Sequence, residues 1–219
     1  IENPRGLRVS PMHERLVAQG GVFFESNGWE RAQWFEANAE LAPSAAPVRV
    51  GWPARHWSPI SGAEHLQVRA AAGLFDLTPF AKFEVSGPDA LAYLQRLCAN
   101  DVDKPIGSIV YTALLTEKGG IRCDLTVTRL GPDRFWIVSG GGTRPLDHAW
   151  LRRHLSGGVQ VQDVSSAYAA VGLWGPAARA IAQSISSDDL SDAAFPYLTA
   201  REIALGCVPA LALRISYVG

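Results

Sequence analysis

One acidic side chain stands out by its surroundings. Asp124 lies in the run Ile121-Arg122-Cys123-Asp124-Leu125-Thr126-Val127-Thr128, a stretch otherwise rich in strand-forming residues. Aspartate is disfavoured inside strands, and a carboxylate turned toward a core is costly unless partners or a ligand satisfy it. A carboxylate so placed can accept a proton or stabilise developing positive charge. Tyr111 heads the preceding apolar run Tyr111 to Leu115. The plain alternative is that Asp124 bonds a neighbouring backbone group or Arg122 and fixes the local turn, with Tyr111 packing as an ordinary strand aromatic.

The element that must carry Asp124 is a β-hairpin. Glu117-Lys118-Gly119-Gly120 separates the two strand-like runs, and paired glycines supply the positive φ angles of a tight reversal. Other chemistry-bearing residues are less telling. His13 and Glu14 are adjacent but form no HExxH pattern, so no metal site is expected. Gly140-Gly141-Gly142 lacks the lysine and spacing of a phosphate loop and reads as a turn. Asn100-Asp101 follows a predicted helix and reads as a cap or turn. Cys123, beside Asp124, has its thiolate disfavoured by the like charge and is expected to be inert.

The chain has 219 residues, a net charge of −1, 47% hydrophobic residues and 19% charged ones, the composition of an ordinary globular protein. No polycationic surface for nucleic acid is indicated. The longest apolar runs, such as Val208 to Leu213, fall far short of the ~20 residues that cross a bilayer. Three scattered cysteines, Cys98, Cys123 and Cys207, suit neither a disulfide framework nor a zinc cluster, and a reducing cytoplasm is the expected location. The chain opens without methionine and ends just after the strand-like Ala210 to Ser216, so a piece of a longer polypeptide is expected.

The first forty residues hold Phe23, Phe24, Trp29, Trp34 and Phe35 without a sustained period, and read as an aromatic-rich entry segment. Pro43 to Pro59 carries four prolines and two tryptophans, an extended connector that places a boundary near residue 60. Helices are predicted over Gly62 to Ala72, from Leu91 through Leu97, over Pro145 to His154 and over Arg179 to Ile185. Strands are predicted over Leu74 to Leu77, Lys82 to Ser86, Phe135 to Val138, Val159 to Val164, Ala169 to Leu173 and Ala210 to Ser216. The sequence Gly87-Pro88-Asp89-Ala90 between a strand and a helix recurs as Gly175-Pro176-Ala177-Ala178. A strand, a Gly-Pro corner and a helix in the same order twice predict an α+β fold of mixed or antiparallel sheets with packed helices, built as two pseudo-repeated halves.

The words Val68 to Leu77, Val85 to Ala90, Asn100-Asp101-Val102, Gly107 to Leu115 and Gly119 to Val127 resemble, in order, the folate-binding aminomethyltransferase family whose type member is the T-protein of the glycine cleavage system. Leu7 to Arg15 and Phe23 to Arg31 are similar to the link in dimethylglycine and sarcosine dehydrogenases or oxidases, where a flavin domain precedes the folate domain. The resemblance implies residues 1–59 as a linker after a flavin domain and 60–219 as a folate-binding domain truncated at its C-terminal end. It implies tetrahydrofolate as cofactor, FAD in the upstream domain, and capture of a one-carbon unit from a methylated amine as 5,10-methylenetetrahydrofolate. By position it implies Asp124 as the catalytic carboxylate against the pterin, with Tyr111, Phe80, Tyr197 and Tyr217 lining the ligand. The family often has two successive acids in the hairpin where this chain has Cys123-Asp124, and an asparagine-like position appears here as Gly140. Those departures motivate a competing expectation, a non-catalytic scaffold that keeps the fold; a folate-dependent O- or S-demethylase is a third.

Overall fold

The computed structural model describes residues 5–42, 50–51 and 58–216. Its contacts divide the chain into two units, one of residues 1–79 with 169–178 and one of 80–168 with 179–219.

In the first unit, helix α1 (His13–Ala18) precedes a hairpin of β1 (Gly21–Ser26) and β2 (Trp29–Phe35), followed by a 3-10 turn. The aperiodic entry segment expected here is therefore structured. Asn27 (φ 54°) and Gly28 (φ 83°) form its two-residue reversal, the Asn-Gly pairing that suits the twist of antiparallel strands. Helix α2 (Pro59–Ala70) starts on a Ser58 cap with proline in its first turn, and β3 (Gly73–Asp76) pairs antiparallel with β9 (Val171–Trp174).

The second unit holds the main sheet. Strands β4 (Ala81–Ser86), β5 (Ile109–Leu115), β6 (Ile121–Gly131), β7 (Arg134–Ser139) and β8 (Gln160–Asp163) lie in the order β5-β6-β7-β4-β8, all neighbours antiparallel. One face packs on α3 (Ala90–Leu97) and α4 (Arg144–Arg153): Phe83, Val85, Leu114, Leu125, Val127, Phe135 and Ile137 form a single cluster with Leu94 and Leu151. Burying each large apolar side chain contributes about 1.5–3 kcal/mol. Tyr93 of α3 ties the two helices by donating its hydroxyl to the Leu151 carbonyl at 2.6 Å. Helix α5 (Ala178–Ser184) and the hairpin of β10 (Thr199–Leu205) and β11 (Val208–Arg214) complete the chain. No helix among the described residues is long and apolar enough to cross a membrane.

The predicted α+β class with antiparallel sheets holds. The repeated Gly-Pro corner is real as a local motif, because Gly87 (φ +114°) and Gly175 (φ +111°) share a backbone conformation that L side chains rarely adopt, and each is pressed against carbonyl oxygens.

Candidate functional site

Alternation along β6 decides where Asp124 goes. Leu125 and Val127 point into the helix-backed core, so their neighbours Asp124, Thr126 and Thr128 share the opposite face of the sheet. Asp124 is exposed. Leu125 and the partly buried Cys123 take the core side, and the acid takes the other. Register shows what surrounds it. One row across this second face runs Tyr111, Thr126, Val138, Lys82, and the next runs Ile109, Thr128, Trp136, Glu84.

The row of Asp124 is the outermost. Ser139 stands opposite Leu125 on one side and Ala81 on the other, so Asp124 and Phe80, one step along, flank Gly140 at the end of β7. Two strand spacings separate their backbones by about 10 Å. Gly140 is exposed and places no side chain between them.

Tyr111 and Asp124 are brought into contact. The Tyr111 hydroxyl donates to Asp124 Oδ2 at 2.8 Å, a diagonal cross-strand pairing, with Tyr111 itself 54% exposed. The hairpin that carries them is closed by mutual hydrogen bonds of Thr116 with Gly119 and Gly120, and only Gly119 takes a positive φ (+76°). A single left-handed glycine, not two, makes the reversal.

Phe80 is half-buried just before β4, and its carbonyl accepts from Lys82 Nζ at 2.9 Å. Tyr197 is exposed on the segment that Leu198 pins to the start of β5, through a 2.8 Å bond from the Ile109 amide to the Leu198 carbonyl. Tyr197 is therefore tethered near the strand of Tyr111 without a recorded contact to it. Tyr217 lies outside the described residues.

Behind the outer row the face is closed. Tyr168 packs edge-on against Trp136 with ring centroids 4.7 Å apart. Glu84 accepts from Arg134 and Trp136, and the Arg134 guanidinium holds its carboxyl below the usual range against the opposing effect of burial. Thr126 (3% exposed) and Thr128 have buried hydroxyls with no hydrogen-bond partner among the described residues. Such orphaned groups are rare, since each costs about 1–3 kcal/mol. Sequence reasoning passed over both, although the spacing Asp124-x-Thr126-x-Thr128 marks one polar face of a strand.

On the helix side, the Cys123 thiolate is disfavoured chiefly by burial rather than by the adjacent acid. Burial first, and then the Asp147 carboxylate, push its thiol up to about 12, with Asp124 a minor contributor.

These features define an antiparallel α+β domain that presents a tyrosine-supported carboxylate at the open end of a sheet face. The family model described as the GCVT N-terminal domain matches residues 12–219, and the chain belongs to that family. It is 39% identical over its whole length to 4-methylaminobutanoate oxidase (formaldehyde-forming) of Paenarthrobacter nicotinovorans, covering 26% of that protein. It is 31% identical to human mitochondrial dimethylglycine dehydrogenase over 97% of the chain and 24% of the relative. The crystal structure of the glycine cleavage system aminomethyltransferase T from Bartonella henselae superposes with a TM-score of 0.71 at 26% identity, over 89% of this chain and 47% of that one. The chain thus spans about a quarter of the two oxidising relatives and about half of the aminomethyltransferase.

Proposed function

We propose that this chain is the tetrahydrofolate-binding, aminomethyltransferase-type module of a larger amine-demethylating enzyme, capturing the one-carbon unit released when a methylated glycine-type amine is oxidised. The observation that carries the proposal is the hydrogen-bonded Tyr111–Asp124 pair at the open end of the sheet face. Family membership supports the transferase class, and a formaldehyde-forming oxidase and a dimethylglycine dehydrogenase among the relatives support the coupling to oxidation. The flavin belongs, on this reading, to a covalently linked domain outside these residues, and the cytoplasm is the proposed location.

The residues present suit a reduced pterin. Such a ring offers several N–H donors, and an ionised carboxylate is an acceptor only. Bound tetrahydrofolate would supply the two amine nitrogens that take up the carbon of formaldehyde, whose oxygen leaves as water with the two N–H hydrogens, to give 5,10-methylenetetrahydrofolate. Asp124 orients those N–H groups and takes the proton that the attacking nitrogen loses. Tyr111 holds Asp124 Oδ2 in place and offers its ring to the ligand; Phe80, Tyr197 and Tyr217 complete the proposed lining. The bare floor at Gly140 lets a flat ring lie between Asp124 and Phe80. A positioned base contributes about 10²- to 10⁴-fold, so loss of Asp124 slows capture without abolishing a reaction that free formaldehyde undergoes unaided.

The test is calorimetric titration of the intact protein with tetrahydrofolate, paired with the ratio of methylene-folate to free formaldehyde formed during turnover. Binding by the unmodified protein, weakened in Asp124→Ala and Tyr111→Phe with more formaldehyde released, is the expected result. A protein that binds no tetrahydrofolate is a scaffold. Unchanged affinity and product ratio in Asp124→Ala removes that residue from the site.

A further inference from the structure

Asp147, in the first turn of α4, is 1% exposed and forms no ion pair among the described residues. A buried carboxylate without a cation is expensive and survives where its hydrogen bonds do necessary work. Its Oδ2 accepts from Ser139 Oγ at 3.0 Å and from Thr143 Oγ1 at 2.7 Å, while Oδ1 has no hydrogen-bond partner among the described residues. Ser139 ends β7 and Thr143 is the residue before α4, so the carboxylate closes the glycine segment 140–142 that links them. Those three glycines have no side chains with which to fix their own path.

The third neighbour is Cys123. Its thiol packs on the core side of β6, where burial and then the nearby Asp147 carboxylate disfavour its thiolate. Strand alternation turns the next residue the other way. We propose that Asp147 is a positioning residue for Asp124: it clasps Cys123, Ser139 and Thr143 from the helix side and so fixes both the strand that aims Asp124 onto the open face and the floor at Gly140. This rests on the folate reading above, and it assigns the interaction with the ligand to Asp124, with Asp147 acting only through the backbone. The elevated thiol of Cys123 agrees with a retained proton shared toward the carboxylate.

Two measurements on the intact protein decide it. The first needs no folate: the alkylation rate of Cys123 by iodoacetamide at pH 8, read by peptide mass spectrometry. Removing the facing charge in Asp147→Asn raises that rate about tenfold by freeing thiolate; an unchanged rate shows that no clasp on Cys123 exists and overturns the proposal. The second is tetrahydrofolate affinity. Asp147→Ala weakens it about tenfold, the equivalent of about 1.4 kcal/mol, whereas Asp147→Asn, which keeps an acceptor for Ser139 and Thr143, recovers most of it. Leu190→Ala, in the separate cluster with Phe195 and Ile203, serves as the equally destabilised control and leaves affinity unchanged. Full affinity in Asp147→Ala, or equal losses in all three variants, reduces Asp147 to a stability residue and overturns the positioning role. Should the unmodified protein bind no tetrahydrofolate, the functional reading and the positioning role fall together, while alkylation still reports the clasp separately.

Discussion

Replacing Gly87 by alanine tests the corner on which β4 and α3 meet. An ideal Cβ at this position sits 1.8 Å from the Gly158 carbonyl oxygen, and real Cβ atoms essentially never come within 3.0 Å of such a neighbour. The carbonyl would have to retreat by about 1.2 Å to relieve the overlap. It is not free to do so, because the Gly158 amide donates to Asp89 Oδ2 at 2.8 Å and Gly158 lies close against the Pro88 ring. A side chain held at φ +114° costs about 1–3 kcal/mol, and breaking the Gly158–Asp89 bond costs about 1 kcal/mol more. With lost packing, the expected destabilisation is about 3–5 kcal/mol. At a urea slope of about 2 kcal/mol per molar, the midpoint falls by about 2 M with the slope unchanged. Gly119→Ala is the internal comparison: φ is +76°, nothing lies within 4 Å, and the cost is limited to about 1 kcal/mol of backbone strain. Urea denaturation followed by circular dichroism and tryptophan emission measures both. A loss below about 1 kcal/mol in Gly87→Ala, or equal losses at the two sites, refutes the close backbone approach inferred for the corner.

Three further outcomes follow from single contacts. Glu30 accepts from Arg5 and from the Gly6 amide, chiefly through the Arg5 bond, and its carboxyl is lowered to about 2; the stability it contributes is present above the ordinary carboxylate value and fades as pH falls toward 2, so an acid titration of thermal midpoint should flatten in Glu30→Gln. Tyr93→Phe removes the buried bond to the Leu151 carbonyl, which keeps its partner in the His154 amide, so a loss of about 1 kcal/mol in urea is expected. Cys123→Asp sets a second carboxylate against Asp147, with Asp124 adjacent and Arg122 the only opposing charge among these neighbours; the shared proton is then held above the ordinary range, and the variant should be less stable at pH 8 than at pH 5, the reverse of what Glu30 alone produces.

The main sheet was legible because β5, β6 and β7 are rich in apolar and β-branched residues, and the helices because proline and glycine mark their ends. What escaped was short pairing. The hairpin of β1 and β2 hides its alternation under aromatic residues on both faces, although Asn27-Gly28 announces its turn. Strand β10 has Arg201 and Glu202 side by side and was passed over, yet it pairs along its whole length with β11 across Gly206-Cys207. The site was half legible. Strand context singled out Asp124 and the family resemblance singled out Tyr111, and the fold joins them; Leu125 and Val127 fix the core face of β6 and leave Asp124, Thr126 and Thr128 on the other. Asp147 was invisible for a different reason: its partners lie 4, 8 and 24 residues away in sequence, and only folding assembles them.

The exposure of Asp124 bears on how the site can work. A carboxylate facing water attracts a developing cation weakly, because the solvent's high dielectric spreads its field; the same group under a cover gains several-fold in effect. Among the described residues Asp124 is exposed, beside a tyrosine that holds one of its oxygens. On the proposed folate reading, the ligand supplies that cover. A flat ligand laid over Gly140 would seal the carboxylate from the side while presenting it the N–H groups it can accept. On that reading, charge stabilisation and binding then become one event, and Asp124 would accept a proton only once the ligand covers it.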